Sequence, residues 1–234
     1  MRQAAVTPQS TNSLAKFNHL MNVANKIAEI NPNGLYDLIR AILKPLQAEQ
    51  LLGVAERGQD AVPLIEAGHF FGSAVRDHLF SEDGMKWMGV PQEKEMFVLH
   101  LSRDIVLPSP WSLNGYISAL ATIGSTKAGD MGVRGYRRSD YQGPWQQDAN
   151  HRVEMWLPWK IAFVQGGNHS IAAGILAGEG EIIPDSVFDM SHLLGTLRCD
   201  GHSFFRIDNG DLVGSISDPR KAAVFEIGRL LSKT

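Results

Sequence analysis

At 234 residues, with 44% hydrophobic and 20% charged residues, the chain has the make-up of a globular protein long enough to bury a sizeable core. A formal net charge of −3 gives none of the overall basic excess typical of a nucleic-acid-binding surface. A single cysteine, Cys199, excludes an intrachain disulfide and any cysteine-cluster metal site.

No run approaches the ~20 apolar residues of a membrane span. The first residues lack the continuous apolar stretch of a secretory signal. A soluble, cytoplasmic protein with no membrane partner is the expectation.

Residues 1 to 11 read as a polar leader. From Thr11, apolar residues recur at spacings of three and four through Ile30, which predicts a helix. Asn31-Pro32-Asn33-Gly34 interrupts it. A second helix carries Leu35, Leu38, Ile39, Ile42 and Leu43, is kinked or ended by Pro45, and continues through QAEQLLGVAERG. A third helical region is expected from about Val62 to Phe80.

The character changes near Glu93. FVLHLSRDIVLP reads as one strand or two short ones, and WSLNGYISALATIG as a short helix. Residues 125 to 150 are polar, glycine-rich and poor in aliphatics, which predicts a long surface loop. VEMWLPWKIAFV returns to strand character. VFDM is a further strand, Asn209-Gly210 predicts a hairpin turn, and an amphipathic helix begins at Pro219. The layout is α+β, with a helical N-terminal region over 1–93 and an α+β domain over 94–234.

The most unusual run is VQGGNHSIAAGILAGEGEI. A strand, then Gly166-Gly167-Asn168-His169-Ser170, then a helix of small residues is an arrangement that binds anions. The first helical amides have no partners within the helix, and the helix dipole favours negative charge there. Asn168 or Ser170 would cap the helix, and His169 would donate to an oxyanion or act as acid or base. The same residues also suit an ordinary strand-to-helix turn.

Gly167, Asn168, His169, Ser170 and Ala173 resemble the glycine turn and small-residue helix of the ParB/sulfiredoxin-like superfamily. HLSRDIVLPSPWSLNGYISALATIG resembles that superfamily's first strand, proline-bearing turn and first helix. The sequence is also similar to an uncharacterised bacterial family with a GGNHS-type motif. The resemblance implies a mixed sheet-and-helix domain and a nucleotide or other phosphate-bearing ligand, with or without Mg2+. Hydrolysis of a nucleotide or phosphate ester is the implied reaction class.

Two departures matter. Asn168 stands where sulfiredoxins place their reactive cysteine, which excludes sulfinic acid reduction. Ser170 stands where ParB-type sites generally use arginine, so a bidentate phosphate ligand is missing. The cation then has to come from elsewhere, and Arg134, Arg137, Arg138, Arg152 and Arg198 are the candidates. The other class of function is a catalytically silent binding or regulatory module. In it the N-terminal helices mediate self-association or protein contacts, and nucleic acid is a weaker partner class.

No metal-ligand set is assigned. The eight histidines show no His-Glu-x-x-His spacing. His192 and His202 are candidates to join His169 in space. Trp111, Trp145, Trp156 and Trp159 either border one cavity and stack on a base or fill the core.

Overall fold

A computed structural model describes residues 8–80, 87–127 and 141–232, with side chains from residue 12 onward. It opens with two long helices, α1 (Pro8–Ile30) and α2 (Gly34–Arg57). The break between them falls at Asn31–Asn33, and α2 continues past Pro45 to Arg57.

The helix expected over 62–80 forms only as α3 (Ser73–Arg76), preceded by two short 3-10 turns. Pro63 interrupts the segment, and Gly72 sits at φ 95°, where a helix cannot continue. The apolar spacing is nonetheless used. Phe70, Phe71, Ala74, Val75 and Leu79 are all buried.

The strands follow in chain order. β1 is Val90–Pro91, β2 Leu99–His100 and β3 Ile105–Leu107. After α4 (Leu113–Thr122) come β4 (Arg152–Leu157) and β5 (Ile161–Gly166). VEMWLPWKIAFV is therefore two antiparallel strands, because Pro158 cannot continue a ladder and Lys160 turns the chain at φ 55°. Next are α5 (Asn168–Ala177), β6 (Glu181–Ile182), β7 (Ser186–Asp189), α6 (Ser191–Thr196) and β8 (Leu197–Cys199). β9 (Ser203–Arg206) and β10 (Leu212–Ser215) form the hairpin about Asn209-Gly210, and α7 (Pro219–Leu231) follows.

The main sheet has five strands in the order β1-β7-β4-β5-β3. β5 pairs parallel with β3 and antiparallel with β4, and β4 pairs parallel with β7. β10-β9-β8 form a separate antiparallel sheet, and β2 pairs with β6. FVLHLSRDIVLP thus contributes two strands to two different sheets. The protein is α+β with a mixed main sheet.

The strand period of two divides the interior. Ile105, Leu107, Ile161 and Phe163 enter the larger core with Phe17, Leu35, Ile39, Phe71, Trp159 and Phe225. Val106, Ala162 and Val164 face the other way, into a smaller core with Leu101, Trp145, Val153, Met155 and Ile171. The larger core draws on residues from both sides of position 94. The change of character there marks a change of secondary structure within a shared interior.

Candidate functional site

β5 carries the chain from the middle of the sheet to its rim, where Gly166 and Gly167 release it into α5. Gly167 is the N-cap of α5 at φ 75°, ψ 21°, a left-handed conformation that suits glycine. A Cβ there would collide with the His151 ring. Behind the turn, Ile171, Ala172 and Ala173 are fully buried, so the start of the helix is anchored.

Three motif side chains are spent on holding neighbouring chain in place. Asn168 Oδ1 accepts the backbone N–H of Ser109 at 2.6 Å. His169 Nε2 accepts the N–H of Ser112 at 3.2 Å, and its ring meets Trp111 edge-on with centroids 5.0 Å apart. Ser170 Oγ contacts His151 Nε2 and donates to the Gly167 carbonyl at 3.2 Å. No side chain caps α5. Among the described residues, the backbone N–H groups of Asn168, His169 and Ser170 meet no protein acceptor.

These amides border a cleft of about 880 Å³. Gly166, Gly167, Asn168, His169 and Ser170 all line it, and so does Arg152. The Arg152 side chain lies across Gly166, its Nε 3.1 Å from where a Cβ on that glycine would stand. Among the described lining residues Arg152 is the one arginine or lysine. Arg134, Arg137 and Arg138 lie outside the described residues. Thr122, Ile123, Tyr141 and Trp145, which flank that segment, also line the cleft.

The tryptophans divide. Trp111, 66% exposed, and Trp145 border the cleft, whereas Trp156 and Trp159 are each 1% exposed and belong to the larger core. Arg198 is elsewhere, over the Phe205 ring at 4.6 Å. His192 Nε2 contacts the His78 carbonyl, away from His169. Burial pushes the Cys199 thiol up to about 12, which keeps it protonated and unreactive.

The residue missed in the sequence is His151, only 4% exposed. With Asp148 and Ser170 it makes what looks at first like a Ser-His-Asp relay. The Asp148 carboxylate stands 3.2 Å from His151 Nδ1, and His151 Nε2 meets Ser170 Oγ.

The tautomer argues otherwise. The backbone N–H of Asp148 donates to Nδ1 at 2.8 Å, so Nδ1 carries a lone pair and the proton sits on Nε2. His151 then donates to Ser170 and cannot remove its proton. Ser170 is held as a brace between His151 and the Gly167 carbonyl. The only local signal for this in the sequence is the Asp-x-x-His spacing of Asp148 and His151, since Ser170 lies nineteen residues on.

Burial also lowers the pKa of His169, so it is neutral at neutral pH. His78 and His192 are lowered by burial as well. In each case the unfolded chain, near ~6.5, binds protons more readily than the folded one. The stabilisation is present above that pH and is lost as pH falls through the lower folded values. Glu154, raised by burial, acts in the opposite sense, but it is a single group against three. The urea midpoint should fall between pH 7.5 and 5.5, and His169→Gln should flatten part of that slope. A midpoint that holds or rises on acidification contradicts this assignment.

A family described as of unknown function (DUF6710) matches residues 3–234. The chain belongs to that family. No curated protein and no solved structure matches it. In this DUF6710 member the cleft at the start of α5 is the candidate site. Among the described residues, no helix is long and apolar enough to cross a membrane, and no three His, Cys, Asp or Glu side chains gather as a metal site.

Proposed function

We propose that the cleft binds a small phosphate-bearing ligand, a nucleotide first among them, and that the protein works as a ligand-binding module in the cytoplasm. The observation that carries this reading is that three helix amides with no acceptor among the described residues belong, like the Arg152 side chain, to residues lining one cleft. Such amides suit phosphate oxygens, and Arg152 supplies the cation that Ser170 does not. The exposed face of Trp111 at the same rim suits a base. The resemblance of roughly residues 96–183 to the ParB/sulfiredoxin-like superfamily supports the same ligand class, with or without Mg2+. Binding is favoured over hydrolysis because Ser170, the hydroxyl nearest the amides, is braced by a histidine that donates to it.

The test is thermal shift with nucleoside mono-, di- and triphosphates, with and without magnesium. A ligand at 100 times its Kd should stabilise by about 2.7 kcal/mol. Arg152→Ala, an exposed change, should weaken binding by roughly tenfold or more, as expected for losing a charge-assisted hydrogen bond worth about 1.5–3 kcal/mol. Unphosphorylated nucleosides should give much smaller shifts. No shift with any nucleotide overturns the proposal.

A further inference from the structure

A second cavity, of about 210 Å³, opens at the other end of β5. It is smaller than the ~300–1,000 Å³ of pockets for drug-sized ligands, so its occupant is small. Its floor is apolar: Ile39, Leu99, Ile105, Met155 and Trp159 are all buried. Its rim is cationic, with Arg40, Arg103 and Lys160 facing one carboxylate, Asp104.

The charges at this rim are unevenly matched. Arg103 holds Asp104 through two hydrogen bonds, at 3.1 and 3.2 Å. Arg40 pairs with Asp37 and stands 3.9 Å from Asp104. Asp104 also accepts the His100 N–H at 2.8 Å. Lys160 is left without a carboxylate among the described residues. Its ammonium lies 4.2 Å from the centroid of the Tyr36 ring.

Lys160 is also the one described non-glycine residue with a positive φ, at 55°. An L-residue with a long side chain is costly there, and glycine or asparagine would turn the chain more easily. The side chain, rather than the turn, therefore accounts for a lysine here.

We propose that this cavity binds a small amphipathic carboxylate, with its apolar tail on the Trp159–Met155 floor and its carboxylate on Lys160. An apolar floor selects against a bare oxyanion, and a net cationic rim selects against a neutral hydrocarbon. This site is separate from the Gly166–Ser170 cleft and does not depend on the reading given for it.

The test is calorimetry on the full chain at low salt, with benzoate and hexanoate as probes and inorganic phosphate as a third arm. Both Lys160→Gly and Lys160→Asn remove the charge and suit the positive φ, so their melting temperatures should match or exceed that of the parent. Each should bind the carboxylates at least about tenfold more weakly, whereas Lys160→Arg should retain binding within several-fold. Failure of both carboxylates to saturate at millimolar concentration overturns the proposal. So does unchanged affinity in the glycine and asparagine variants, or binding of phosphate alone.

Discussion

Gly167→Ala should destabilise the protein by about 2–5 kcal/mol and weaken ligand binding in the cleft. Two costs combine. An alanine at φ 75° carries the left-handed penalty of about 1–2 kcal/mol. Its Cβ also has to displace the His151 ring, and crowding of that kind costs about 1–3 kcal/mol.

Gly178 provides the control. It terminates α5 at φ 72°, and nothing stands within 4 Å of a Cβ placed there. Gly178→Ala should therefore show only the backbone cost. The excess in Gly167→Ala measures the contact with His151, and it should shrink in the His151→Ala background. Urea midpoints of the parent, the three single variants and the Gly167→Ala/His151→Ala double variant decide this. Equal losses at the two glycines mean that His151 does not brace the turn.

The second large effect belongs to Phe163→Ala, expected to cost about 3–5 kcal/mol. Phe163 is fully buried on β5 and meets Phe70 and Trp156 edge-on, with centroids 5.3 and 5.0 Å apart. Phe70 comes from the irregular segment before α3, and Trp156 from β4. The deletion therefore opens a void where three parts of the chain meet, and little can collapse to fill it. Phe163→Leu, which keeps much of the volume, should cost well under half as much. If alanine and leucine are equally mild by urea denaturation, the larger core is not organised about this ring.

Much of this architecture was legible because local signals and tertiary demands agree. The Asn31–Gly34 break, the hairpin at Asn209-Gly210 and the run from β5 through glycine to α5 each combine an apolar period with a residue that stops it. Legibility failed at 62–80, where helical spacing survives but Gly72 and Pro63 deny the helix. Periodicity reports which side chains seek burial, and the backbone can satisfy that by another route.

The cleft was half legible. Gly166 to Ser170 and Arg152 lie together because sequence neighbours and paired strands hold them there. The roles of Asn168 and His169 were not legible, because their partners Ser109 and Ser112 lie more than fifty residues away. The same distance problem hid His151 and divided the four tryptophans in a way that composition cannot anticipate.

β5 shows a further property of this fold. Successive residues Ile161, Ala162, Phe163 and Val164 point alternately into two different cores. A change of side-chain size at any of them is a local matter, but a change of phase is not. Inserting or deleting one residue would send Phe163 towards the space fitted to Ala162 and hollow out the opposite side. The strand thus acts as a key cut on both edges, tolerant of wear at any tooth but not of being shifted by one.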